Sequence, residues 1–220
     1  MSEIPPRLSM EGAGAVLFDV AGTVFSDALQ ARIWSLAAAM KTLPGVSEAV
    51  PGMNNLMIVF DPLAVAPETV ERRLLDAWTA GDTAEIAGRL IEIAVDYGGA
   101  GGEDLPDFAA RLGLDVEEVV RRHTAPTYSV AAVGAMPGFV YLSGLDPTLT
   151  MPRRALPRMS APVGSVMIGG AQAGIMPVTA PTGWHILGLT DTVLFDPAAE
   201  VPVLCRPGDR IRFVARSLTR

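Results

Sequence analysis

The chain has 220 residues, half of them hydrophobic, with a net charge of −7 and one cysteine. That length suits one large or two small domains, with enough apolar content for a core that needs no disulfide. The acidic balance, without a Lys/Arg tract interleaved with aromatics, argues against nucleic acid as a partner.

The N-terminal MSEIPPRLSMEG lacks the basic and apolar regions of a signal peptide, and no run reaches the roughly 18 apolar residues of a membrane span. A cytoplasmic protein with no membrane partner is expected. The only lysine, Lys41, falls at the expected solvated end of a helix, which argues against Schiff-base chemistry. His123 and His185 lie far apart, with no CxxC or HExxH spacing, so no metal site is expected.

Ala15 to Val20 reads as a first strand. A helix follows from Ser26 or Asp27 to Thr42, with Leu29, Ile33, Leu36, Ala37 and Met40 recurring at steps of three and four. Pro44-Gly45 ends it. Val46 to Val50 and Leu56 to Phe60 read as strands. A second helix spans Pro67 to Thr79, with proline in its first turn and Val70, Leu74 and Trp78 as its buried stripe. The order is most of a β-α-β-β-α-β ferredoxin-like unit, its last strand either within Ala84 to Ala87 or missing. A domain boundary is placed between residues 87 and 88.

Arg89 to Tyr97 alternates with period two and predicts a half-buried strand. Short helices are predicted over Asp104 to Leu112, closed by Gly113, and Asp115 to about His123, with Asp115 as cap and Glu118 three residues on. From Tyr128 the chain reads as β-rich. The stretch Tyr128 to Gly188 is dense in glycine and proline, which fits short strands joined by shaped turns rather than helices. Pro207 to Val214 reads as a turn into a final strand.

Several side chains in this second part carry chemistry. Arg153, Arg154 and Arg158 share a loop with Pro152 and Pro157. A guanidinium fork matches a carboxylate or phosphate, so the cluster reads as an anion clamp. The competing reading is a structural ion-pair set on Asp146 or on backbone carbonyls. Gln172, among small residues, has a donor and an acceptor for an amide or lactam; otherwise it stabilises a turn. Phe139 and Tyr141 read as a pocket wall or as core, and Trp184 as barrel packing. Ser165 lacks a GxSxG elbow and is not expected to be a nucleophile. His185 reads as an exposed strand residue and Cys205 as a small apolar filler. His123 ends a helix, a position that favours its charged form; it reads as a proton-transfer group or as a helix-ending residue bonded to the next loop.

The segments IEIAVDYGG, LGLDVEEVVRRHTAPTYSV, PGFVYLSGLDPTLTMPRRALPR, PVGSVMIGGAQAGIMPVTAPTGWHILG, LFDP and PGDRIRF occur in that order. They resemble the family of the B-type 5-oxoprolinase subunits, also named allophanate hydrolase subunit 1 and sporulation-kinase inhibitor. Its motifs are H-x4-Y-x-V, PGFPYLGGLD, PRR-x-x-PR, PAGSVGIAGGQTGIYP and PGGW. The resemblance covers Ile91 to Val214, and more weakly the first domain. It implies an α+β protein, with a small ferredoxin-like α/β domain (1–87) followed by a cyclophilin-like β-barrel (88–220).

The resemblance also implies a non-autonomous subunit of an ATP-dependent hydrolase that opens 5-oxoproline to glutamate. ATP is expected for the complex and is left to a partner, because the chain has no GxxxxGK[ST] loop. A companion carboxyltransferase-like subunit is expected, with a small amide or carboxylate as ligand. The motif match assigns proton transfer to His123 and substrate contacts to Tyr128, Phe139, Tyr141, Arg153, Arg154, Arg158 and Gln172. Two alternatives share the resemblance: a regulatory module that binds a histidine kinase, and a subunit for urea-derived substrates whose biotin would arrive on a partner. Departures from the motifs at Ala135, Ala173, Met176, Thr182 and Leu189 are expected to change the pocket.

Overall fold

A computed structural model describes residues 5–81 and 88–220. The chain divides into two compact units, Met1–Ala87 and Gly88–Arg220.

The first unit is a four-stranded antiparallel sheet carrying two helices. Its elements are β1 (Arg7–Met10), β2 (Ala15–Asp19), α1 (Asp27–Met40), β3 (Val46–Pro51), β4 (Asn55–Phe60) and α2 (Pro67–Ala80). The strand order is β1-β2-β4-β3. Strand β1 is not among the elements expected from the sequence. It pairs antiparallel with β2 from Arg7↔Asp19 to Met10↔Val16, and takes the edge beside β2 where a ferredoxin-like unit would place its last strand. The candidate strand at Ala84 to Ala87 lies outside the described residues.

Ser26 caps α1 by accepting from the Leu29 amide. Ile33, Leu36, Ala37 and Met40 pack with Val70, Leu74 and Trp78 of α2 onto Val16, Phe18, Leu56 and Ile58. Leu29 is only partly buried at the margin of that core.

The second unit is a closed seven-stranded barrel. Its strands are β5 (Leu90–Gly98), β6 (Tyr128–Val133), β7 (Val140–Ser143), β9 (Ser165–Gly169), β10 (Gln172–Ile175), β12 (His185–Leu189) and β13 (Arg210–Thr219). They run round the barrel as β10-β7-β6-β13-β5-β12-β9, and β9 closes onto β10. Helices α3 (Leu105–Leu112) and α4 (Val116–Thr124) pack on this core, and β8 (Arg158–Ala161) pairs with β11 (Ala180–Thr182) as a separate two-stranded ribbon.

The period-two pattern explains the barrel wall. In β5, Ile93, Val95 and Tyr97 point inward, while Glu92 and Asp96 are less buried. Strand β13 runs parallel to β5 and continues to Thr219, beyond the expected end at Val214. A register shift between Ala215 and Ser217 breaks the alternation there. At this irregularity Arg216 and Ser217 both reach Asp96 of β5.

Candidate functional site

On strands β7, β9 and β10, alternation sends Val140, Leu142, Val166, Ile168, Ala173 and Ile175 into the barrel core. Tyr141, Met167, Gly169, Gln172 and Gly174 are left on the outer face. Gln172 lies opposite Gly169, and Gly174 opposite Tyr141. The missing side chains at the two glycines make room for Trp184. A Cβ at Gly169 would come 2.4 Å from the indole, and one at Gly174 would come 3.0 Å from it.

Aromatic rings complete the patch. Phe139 meets Trp184 edge-on at 5.6 Å between centroids. Tyr141 lies 4.9 Å from Phe139 and 6.2 Å from Trp184. Met167, Met176, Ala161 and Ile186 fill the space around them. Trp184 is only 5% exposed and Phe139 is equally buried. Tyr141 and Gln172 remain half-buried and accessible.

The loop 152–158 lies over this patch. The Arg154 amide donates to the Gly183 carbonyl at 2.7 Å. His185 Nε2 lies 2.9 Å from the Pro152 carbonyl. A carbonyl only accepts, so Nε2 carries the proton. Arg154 Nη1 and Arg158 Nη2 both donate to Asp104 Oδ1, at 2.5 and 2.8 Å. Arg158 also pairs with Glu103. Arg153 is exposed, and its guanidinium carbon lies 5.6 Å from the centre of the Trp184 ring. It has no acidic partner among the described residues. Two of the three guanidinium groups therefore meet the two carboxylates, and one positive charge is left on Arg153.

Of the eight expected site residues, the structure brings Arg153, Gln172, Tyr141 and Phe139 together at Trp184. Phe139 supports the wall from behind rather than facing solvent. Arg154 and Arg158 are absorbed by an ion-pair set instead of forming a clamp. Their partners are Asp104 and Glu103, not Asp146, whose carboxylate caps the turn at Pro147–Leu149 by accepting from the Thr148 amide at 2.9 Å.

His123 and Tyr128 sit elsewhere, sealed in the barrel core at 0% exposure. His123 Nδ1 lies 2.8 Å from the Tyr97 hydroxyl, and its ring packs 4.6 Å from that of Phe213. The Tyr128 hydroxyl donates to the His123 carbonyl at 2.8 Å. Burial pushes the His123 pKa down to about 3, overriding the helix-end field that favours the charged form. In this position the imidazole is neutral and faces no ligand surface. Burial likewise pushes the Tyr128 hydroxyl well above its ordinary value.

The remaining expectations divide in the same way. The Ser165 hydroxyl donates to the Pro162 carbonyl at 2.7 Å. His185 is buried, not exposed, and meets Phe108 edge-on at 5.5 Å. Cys205 is buried, and that burial pushes its thiol up to about 11. Among the described residues no three His, Cys, Asp or Glu side chains gather as a metal site, and no helix is long and apolar enough to cross a membrane.

Residues 6–205 match the model of the carboxyltransferase domain, subdomain C and D. The chain is 44% identical over 209 residues to the B-type 5-oxoprolinase subunit of Escherichia coli O157:H7, covering 94% of this chain and 95% of that protein. The chain belongs to this 5-oxoprolinase subunit family of carboxyltransferase-domain proteins. The protein of the same name from Haemophilus influenzae is 39% identical over 189 residues, 86% of this chain and 88% of its own. Among solved structures, TTHA0988 superposes with a TM-score of 0.81 at 36% identity, over 92% of this chain and 40% of that one. The Kluyveromyces lactis urea carboxylase gives 0.81 at 18% identity over 99% of this chain, a likeness of fold, and this chain spans 22% of its length.

Three of the motifs of this 5-oxoprolinase family converge on the outer face, whereas H-x4-Y-x-V lies in the barrel core. PRR-x-x-PR forms the loop, the glycine-rich motif forms the β9–β10 hairpin, and the PTGW segment supplies Trp184. Most departures from the motifs fall in packing positions. Ala173 points into the barrel and Met176 packs in the cluster around Trp184. Thr182 accepts from the Trp184 amide at 3.1 Å, and Leu189 packs against Gly101. Met176 and Thr182 thus adjoin the Trp184 face, whereas Ala173 and Leu189 pack away from it.

Proposed function

We propose that this chain is a non-autonomous subunit of an ATP-dependent hydrolase that opens 5-oxoproline to glutamate, and that the outer face at Trp184 is its contribution to a composite site. The observation that carries the reading is the placement of Arg153 over the Trp184 indole, with Gln172 opposite Gly169, the glycine against which that indole lies. 5-Oxoproline combines one carboxylate, one secondary lactam and a compact ring. Arg153 offers a single uncompensated charge for the carboxylate. Gln172 offers both a donor and an acceptor for the lactam. Tyr141 gives the ring an apolar edge. The near-complete overlap with proteins named as 5-oxoprolinase subunits supports the same substrate.

The wall does not fit a nucleotide. A triphosphate calls for several cations or a glycine loop ending in lysine, and this face leaves one guanidinium unpaired. ATP therefore belongs to a partner. The companion carboxyltransferase-like subunit would supply the opposite wall and the water-excluding closure. Co-purification of this chain with that companion, followed by measurement of glutamate and ADP from 5-oxoproline and ATP, tests the reading. Turnover should require both chains. Turnover by either chain alone, or none by the pair, would refute it.

A further inference from the structure

We infer that Asp104 is a positioning residue that locks the arginine loop and the tryptophan strand into one rigid wall; the inference rests on the functional reading above. Asp104 stands at the start of α3 and is 7% exposed. Its Oδ1 accepts from Arg154 Nη1 at 2.5 Å and Arg158 Nη2 at 2.8 Å. Its Oδ2 accepts from the Ile186 amide at 2.8 Å. Its own amide donates to the Ile186 carbonyl at 3.2 Å. One carboxylate thus ties two segments. Arg154 adjoins Arg153, and Ile186 lies two residues beyond Trp184. The distance between the Arg153 cation and the indole is set through this shared anchor.

Two properties suit Asp104 to that role. It is an acceptor at both oxygens and all its partners are donors, so the bonding is complete only for the carboxylate. An amide would accept on one side and present N–H groups to donors on the other. It also neutralises guanidinium groups that would otherwise be uncompensated, which keeps Arg154 and Arg158 turned inward and leaves Arg153 alone outward. Asp104 bonds to neither Arg153 nor Trp184, so its effect on a ligand is expected to pass through their positions.

The experiment uses the complete complex of this chain with its companion subunit, ATP and 5-oxoproline. Asp104→Asn, Asp104→Glu, Arg154→Met and Arg153→Gln are compared with wild type in kcat, in KM and in the thermal midpoint of the isolated chain. Asp104→Asn should raise KM for 5-oxoproline about tenfold with kcat within about twofold, the pattern of lost ground-state positioning. Asp104→Glu should recover part of the loss. Arg154→Met, which removes one tether and keeps the carboxylate, should raise KM less, and it decides the question if Asp104→Asn fails to fold. If Arg153→Gln raises KM while Asp104→Asn or Arg154→Met lowers only the thermal midpoint, the role of Asp104 is purely structural and the inference is overturned. If Arg153→Gln leaves KM unchanged, or the wild-type complex is inactive, the functional reading falls and this inference falls with it.

Discussion

Arg153 holds its guanidinium carbon 5.6 Å from the centre of the Trp184 ring. That separation lies within the range in which a cation is drawn to an indole face, an attraction of about 0.5–1 kcal/mol at an exposed site. The indole keeps its place because Gly169 and Gly174 leave a flat bed beneath it.

The glycine bed predicts a graded effect. In Gly169→Ala the new Cβ would lie 2.4 Å from the indole, against 3.0 Å in Gly174→Ala. Overpacking of this kind costs about 1–3 kcal/mol. Gly169→Ala should sit at the upper end of that range and Gly174→Ala at the lower. Urea denaturation of the isolated chain measures both. Equal and negligible losses would show that Trp184 is not held as described.

His123 predicts a pH dependence of stability. Its pKa is about 3 in the folded chain against 6.5 when exposed, so the unfolded chain binds more protons between those values. Stability is therefore unaffected by this group above about pH 6.5 and falls as pH drops through the window, by up to about 1.4 kcal/mol per unit. Asp96 and Glu118, held at about 2 by Arg216 and by Arg121 with Arg122, lose their contributions only below about pH 4.5. His123→Gln should flatten the stability profile between about pH 5 and 6.5. A wild-type profile already flat there would mean that the imidazole is reached by solvent.

Ser165 separates a structural hydroxyl from a nucleophile. Its bond to the Pro162 carbonyl predicts that Ser165→Ala keeps the kcat of the complex and loses about 1 kcal/mol of stability. A fall in kcat of a hundredfold or more would restore Ser165 as a reacting group.

Much of the fold was legible because its signals are local. The alternation of β5, the stripe of α2 and the cap of α1 each follow from neighbouring residues. Strand β1 was not legible: it is a four-residue edge strand with only Leu8 partly buried, so the alternation in RLSM is too short to mark a strand. The site was legible in part. Arg153, Gln172 and Tyr141 stood out by residue type and by family motif. Asp104 did not, because its partners are 50, 54 and 82 residues away. Nor could the sequence show that Arg154 and Arg158 turn inward while Arg153 turns out. His123 was misplaced for a related reason. A polar residue at a helix end normally faces water, and only the packing of α4 against β13 buries it beneath Phe213.

The most direct test of the central claim is the KM for 5-oxoproline of the complex carrying Arg153→Gln, with Arg153→Lys alongside. Loss of one charge-assisted contact to a carboxylate predicts a rise in KM of about tenfold to a hundredfold with kcat little changed, and partial recovery with lysine. A KM equal to wild type in Arg153→Gln would contradict the assignment of this face to the substrate.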